Sequence, residues 1–300
     1  MNRGRGVVSP SLRTSPRAHC PLQSHRRCRR CHDVRRGYAR RVTRNPLPPG
    51  YRRRIRITPG NFDGERGHAT AALEDDMHCM VVRIDHDGSH VTAVHPHTER
   101  APWNVCPAAA QTLVETFTGL PLAAATAPRA KWSNCTHLYD LAALAAAHAG
   151  DAAPTVYDIA SSDEIDGVVT NEVRRDGVLV HRWTMNGFAL LTPPAIAGIE
   201  LTKLRDWIAT LPPAEAEAAR LLQWASLVAH GRQMTNWETF APEEMPPNCF
   251  AFRPEASREH IVRIGIRHDF SRDEGASGIE PLDHFDGERF LPGRLPPPAY

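Results

Sequence analysis

Along residues 46–270 the apolar and polar positions repeat with two periods, and the switches between them mark out the elements. Residues 54–58 alternate arginine or threonine with isoleucine, the step of two expected of a half-buried strand. The same step runs through 80–84 and 90–94, and Asp87-Gly88 between them predicts a β-hairpin with a tight turn. From Cys106-Pro107 the period lengthens: Ala110, Leu113, Val114 and Phe117 share one face of a helix that Gly119 closes. Proline at the first helical position makes Cys106 the cap residue. A second helix opens at Cys135, carries Leu138, Leu141, Ala142 and Ala145 in register, and ends near Gly150. Strand periodicity returns over 155–159, 167–170 and 177–183, with Arg175-Asp176-Gly177 as a turn.

Two further helices are predicted over 202–211 and 214–230, split by Pro212-Pro213. The second buries Ala218, Leu221, Leu222, Ala225 and Val228. Residues 249–252 and 261–266 read as short strands, and the charged, Pro-rich end over 271–300 as a loose tail. The expected fold is a single α+β domain over 46–270, an antiparallel sheet with helices packed on one face. No internal repeat is visible in the sequence.

Charge changes the picture at one end. Residues 1–45 hold thirteen arginines against one acid, Asp33, so the formal +2 of the chain leaves −10 for the remainder. Such a segment buries too little apolar surface to offset its ordering entropy and is expected to be a disordered, Arg-rich tail. An acidic body lacks the basic stripe that nucleic-acid binding needs, so nucleic acid is not an expected partner of the domain. No run of about eighteen apolar residues is present and no secretory core precedes the domain, so neither a membrane nor export is expected; the cytosol is the default. The Arg-rich leader also fits an organelle transit peptide, and within it Cys28-Arg-Arg-Cys31-His32, with Cys20 upstream, has the spacing of covalent haem attachment or a zinc site. Seven cysteines at irregular spacings in a reducing compartment are free thiols or metal ligands rather than a disulfide framework.

The candidate chemistry lies at the two helix starts. Cys106 and Cys135 sit where unpaired N–H groups and the helix dipole favour an anion, which lowers a thiol pKa and makes a thiolate available. His137, two residues beyond Cys135, is near enough to share an ion, and Asp140 lies one turn further on to orient it. Glu74-Asp75-Asp76-Met77-His78-Cys79 is a packet of oxygen, nitrogen and sulfur donors. Strand alternation through it puts Asp76, His78 and Met80 on one face, so Asp76 and His78 are expected to act together. Cys249 reads as a core residue. The candidate metal ligands are therefore Cys106, Cys135, His137, Asp76 and His78, a mixed donor set that suits zinc or iron.

Several separated motifs in order carry a resemblance. Leu73-Glu-Asp-Asp-Met-His78, Arg100-Ala-Pro-Trp-Asn-Val-Cys106-Pro107, Asn134-Cys-Thr-His-Leu-Tyr-Asp-Leu141, Trp183, Glu217-Ala-Ala-Arg-Leu-Leu222, Cys249 and Asp269-Phe270-Ser271 together resemble the uncharacterised bacterial domain-of-unknown-function family 2889. That likeness runs from about residue 44 to about residue 283, implies that residues 1–45 are extra to the domain, and brings no activity with it. Over 73–148 the order of strand, Asp-Gly turn, strand, helix-capping cysteine and second cysteine is similar to iron–sulfur cluster assembly scaffold proteins. There Asp76, Cys106 and Cys135 fall in ligand places, while Glu74 stands where those proteins have a cysteine and Asn134 where they have a histidine. The resemblance implies a metal-site geometry rather than the assembly activity.

The expected function is metal binding through helix-N-terminal cysteines. Two rivals stand beside it: a thiol-dependent or hydrolytic enzyme acting on a small acyl or aromatic compound with one of these cysteines as nucleophile, and a non-catalytic partner protein with an apolar groove at Trp207, Trp224 and Trp237. No Gly-rich phosphate cradle, Gly-x-Ser-x-Gly elbow or His-Glu-x-x-His helix occurs.

Overall fold

The computed structural model describes residues 47–126, 131–232, 245, 247–253, 261–265, 267–271 and 280–285. The N-terminal tail with its Cys28-x-x-Cys31-His32 motif, and Trp237, lie outside these residues.

Eight strands form one antiparallel sheet: β1 (Gly50–Pro59), β2 (Gly67–Asp75), β3 (Cys79–His86), β4 (Val91–Arg100), β5 (Thr155–Ser162), β6 (Val169–Arg175), β7 (Val178–Asn186) and β8 (Ala189–Thr192). Their spatial order, β4-β3-β2-β1-β5-β6-β7-β8, is two four-strand meanders joined through β1 and β5. Each meander is followed by its own helices. After the first come α1 (Ala109–Phe117), α2 (Leu122–Ala125) and α3 (Thr136–Ala147); after the second come α4 (Arg205–Ile208) and α5 (Pro213–Arg232). The α+β architecture is the one read from the sequence. Among the described residues no helix is long and apolar enough to cross a membrane.

Alternation in β1 sets the two faces of the sheet. Tyr51, Ile55 and Ile57 point into the core under the helices, where Ile55 lies between Leu73 of β2 and Tyr157 of β5. Arg52, Arg54 and Arg56 take the other face, on which the segment 280–285 lies: Leu282 is buried against Ala72 and Val81, and Asp283 pairs with Arg54 at 3.1 Å. The loose C-terminal tail is thus corrected over 280–285. A buried leucine and a backbone N–H from Leu282 to Glu74 Oε2 at 2.7 Å hold that stretch to the sheet.

Turn chemistry explains the hairpins. Asp176 and Gly177 both take positive φ (51° and 81°), the pair a tight two-residue connection demands, and Gly88 does the same at +91°. Strand β2 escaped the periodicity reading because its alanines carry little β preference. Among the described residues two expected strands are not formed: 250–252 is a 3-10 turn, and 261–265 makes a single bridge, Trp103 to Arg263. Of the tryptophans expected to line a groove, the two among the described residues are half-buried: Trp207 meets the buried Trp183 edge-on at 6.0 Å, and Trp224 lies under the Lys131 ammonium.

The two ends of α3 treat histidine in opposite ways. At its C-terminal end His148 points Nδ1 at Asp151 Oδ2 (2.6 Å) and Nε2 at Glu217 Oε1 (3.0 Å), contacts that need a proton on both nitrogens. The bond to Glu217 lifts the His148 pKa above its ordinary value, outweighing burial, which lowers it. A raised native pKa means stability fully present below the unfolded value of about 6.5 and lost as pH climbs through the native one. His148→Gln is therefore expected to lower stability by about 2 kcal/mol at pH 6 and by progressively less toward pH 9. Urea midpoints of both proteins across that range check it; a pH-independent difference refutes the assignment.

Candidate functional site

The packet 74–79 folds as a turn rather than a continuing strand. Asp75 ends β2, and its Oδ1 accepts the backbone N–H groups of Met77 (2.8 Å) and His78 (2.7 Å), while its own N–H bonds the His78 carbonyl. That turn aims the His78 ring back at the same carboxylate, Nδ1 to Oδ1 at 3.0 Å. On the other oxygen, Oδ2 accepts Tyr51 OH (2.6 Å) and Arg53 Nε and Nη2 (3.0 and 2.7 Å). Arg53 Nη2 also reaches His137 Nε2 at 3.0 Å, and the His137 ring stacks on His78 with centroids 3.9 Å apart. A guanidinium only donates, so His137 Nε2 is a lone pair and the ring's proton sits on Nδ1.

Electrostatics follow from this arrangement. Burial pushes the Asp75 carboxyl up, but His78 and Arg53 outweigh it and hold the group well below the usual carboxylate range. Burial, then the neighbouring His78 and Arg53, depress His137 far below an ordinary imidazole, which agrees with its place in the first turn of α3, where a cation is disfavoured.

Asp75, His78 and His137 are the single group among the described residues whose donor atoms lie within 4.8 Å of one another. They fit a metal poorly. A carboxylate offers about four lone-pair sites. Asp75 already accepts six donor contacts, and the cation inside the cluster is Arg53, 4 % exposed.

The expected partnership of Asp76 with His78 is corrected. The turn sends the fully buried Asp76 carboxylate to Arg232, which also holds Asp163 (3.3 Å) and Asp269 (2.8 Å). Burial, only partly opposed by Arg232, raises the Asp76 pKa to about 7. Asp140 does not orient His137 either; it pairs with Lys131 at 2.6 Å.

The thiols form a second group. Cys135 caps α3, whereas Cys106 opens a 3-10 turn whose cap is Val105, a correction of one position. Cys249, read as core, comes to them. Phe250 N–H bonds Asn134 O at 3.0 Å, Arg253 Nη1 reaches Ser133 O, and Phe252 packs edge-on against Trp103, whose carbonyl accepts Cys106 N–H. Segments 103–106, 133–135 and 249–253 thereby converge, with every sulfur free of disulfide. The three sulfurs sense one another: burial raises the Cys106 pKa most, and a charge on Cys135 or Cys249 raises it further.

The expected lowering of these thiol pKa values does not occur. Backbone N–H groups of His137 and Leu138 favour a Cys135 thiolate, yet neither approaches closely enough to be a side-chain cap, and burial still pushes Cys135 up to about 11. Burial raises Cys249 as well. Desolvation exceeds the helix-end effect here because both residues are buried, Cys106 at 8 % and Cys135 at 7 % exposure. Cys79 faces the opposite side of the sheet.

The expected five-residue site is therefore divided. His78 and His137 join Asp75, Arg53 and Tyr51; Cys106 and Cys135 join Cys249; Asp76 joins Arg232. Tyr51 and Arg53 were legible in one respect, since alternation puts both on the face of Ile55 and Ile57. No protein-family model matches the chain, and no curated protein matches it. The functional reading rests on this geometry.

Proposed function

We propose that the protein binds a thiophilic metal ion, zinc or iron, through Cys106, Cys135 and Cys249. The observation that supports this is the convergence of three distant segments that each carry a disulfide-free thiol, Cys106 and Cys135 buried and Cys249 partly buried. Buried thiols of high pKa are weak nucleophiles at neutral pH, which gives the thiol-enzyme reading no support. A metal changes the balance, because it replaces the thiol protons and spreads the thiolate charge that burial otherwise penalises. The sulfurs are not already within 4.8 Å of one another as a trio, so gathering them on one ion requires side-chain rotation at one cysteine or more. Three thiolates leave one tetrahedral position for an outside ligand. His137 does not supply it while Arg53 holds its Nε2.

The test is elemental analysis of protein purified without oxygen, alongside cobalt(II) reconstitution and the Cys106→Ser/Cys135→Ser variant. About one ion per chain and sulfur-to-cobalt absorption are expected in the parent, and neither in the variant. Stoichiometric metal retained by the variant, or no uptake by the reduced parent, would overturn the proposal.

A further inference from the structure

A cleft of about 160 Å³ opens where the β5–β6 connection, the β7–β8 turn and the C-terminal end of α5 meet; it shares one wall residue, Tyr51, with the Asp75 group and none with the thiols. It is smaller than the roughly 300–1,000 Å³ of drug-sized sites, so it suits a small ligand. Its lining is rich in acceptors and acids. Ser161 lies in the wall, is 4 % exposed, and its hydroxyl has no protein partner among the described residues. His230 points Nδ1 at the Ser226 carbonyl at 3.0 Å, so a neutral ring keeps Nε2 as an acceptor. The same ring stacks flat on Phe188, centroids 4.5 Å apart and planes 9° apart.

Charge gives the ligand its sign. Asp163 and Glu164 line the cleft against one cation, Arg232, and that guanidinium is shared among Asp76, Asp163 and Asp269. A carboxylate or phosphate entering here would meet two acids and no uncommitted cation. A ligand that brings positive charge and N–H donors meets complementary partners at each of these groups.

We propose that this cleft binds a small organic cation, a primary alkylammonium compound, with its charge against Asp163 and Glu164 and its N–H groups on Ser161 Oγ and His230 Nε2. The flat Phe188–His230 pair borders the alkyl part. The acids alone would not define a site; the independent feature is Ser161, a residue 4 % exposed whose hydroxyl is engaged by no protein group among the described residues and borders the cleft, where its oxygen accepts an ammonium N–H. This site does not depend on the thiols.

The full-length protein is titrated by calorimetry and ligand-observed NMR with n-butylammonium, and separately with butan-1-ol, butyrate and calcium ion. Saturable binding of n-butylammonium is expected, about tenfold or more tighter than butan-1-ol, with none for butyrate. Ser161→Ala and Glu164→Gln, the second at an exposed position, are each expected to weaken it about fivefold or more at an unchanged melting temperature. Equal binding of butan-1-ol or butyrate, calcium bound in place of the amine, no saturable binding, or unaltered affinity in both variants would each overturn the proposal.

Discussion

Asp75→Asn is expected to cost about 3–5 kcal/mol of stability, enough to unfold many domains of this size at 37 °C. The reason is the number of groups that depend on one carboxylate. Tyr51, Arg53, the His78 ring and two backbone N–H groups all donate to it, and Asp75 itself is wholly buried. An asparagine in the same place turns one acceptor oxygen into a donor. Either the turn N–H groups or Tyr51 and Arg53 then face another donor, and Arg53 loses its counter-charge inside the protein. Arg53→Met is expected to cost less, because Tyr51, His78 and the turn still hold the carboxylate.

The acid limb of stability supplies a second readout. A native pKa held below the unfolded value means stability present above about pH 4 and lost as pH falls through the native value. Removing Asp75 should flatten that limb. Urea denaturation of the parent and both variants between pH 3 and 8 measures both effects. A loss under about 1 kcal/mol for Asp75→Asn, or an unchanged acid limb, would show that this network is not what holds the β2–β3 turn against α3.

What could be read from the residues in advance divides along physical lines. Local signals succeeded: Asp87-Gly88 makes its hairpin, and the stripes that follow Cys106, Cys135 and the Pro212-Pro213 break are helices. Glu74, Asp75 and Asp76 look alike in sequence, and their destinations differ because strand β2 stops at Asp75. One face then receives Glu74, the turn captures Asp75, and Asp76 goes to Arg232. An alternation argument carried across a turn assigns the wrong acid, and it did so for Asp76. Cys249 was missed for another reason. It lies outside any helix or strand that periodicity detects, so only its tertiary contacts, Phe250 to Asn134 and Phe252 to Trp103, reveal its place.

Metal binding by the thiols carries the other large expected effect, a steep dependence on pH. Each thiol must lose its proton to become a ligand, and Cys106, Cys135 and Cys249 all hold theirs more tightly than a free cysteine. Below those pKa values every ligating thiol releases one proton per ion bound. The apparent zinc affinity should therefore rise about tenfold per thiol for each pH unit, or about a thousandfold between pH 6 and 7 for three. Cys249→Ser should reduce that to about a hundredfold, a change of slope that a merely structural cysteine would not cause. Competition against a chromophoric chelator at several pH values gives both slopes. At free zinc about a thousandfold over Kd the parent should gain about 4 kcal/mol, and Cys106→Ser/Cys135→Ser should gain nothing. An affinity flat across pH would show that zinc is held by groups already deprotonated, such as the histidines or carboxylates. An equal gain in the double variant would place the ion somewhere other than on these thiols.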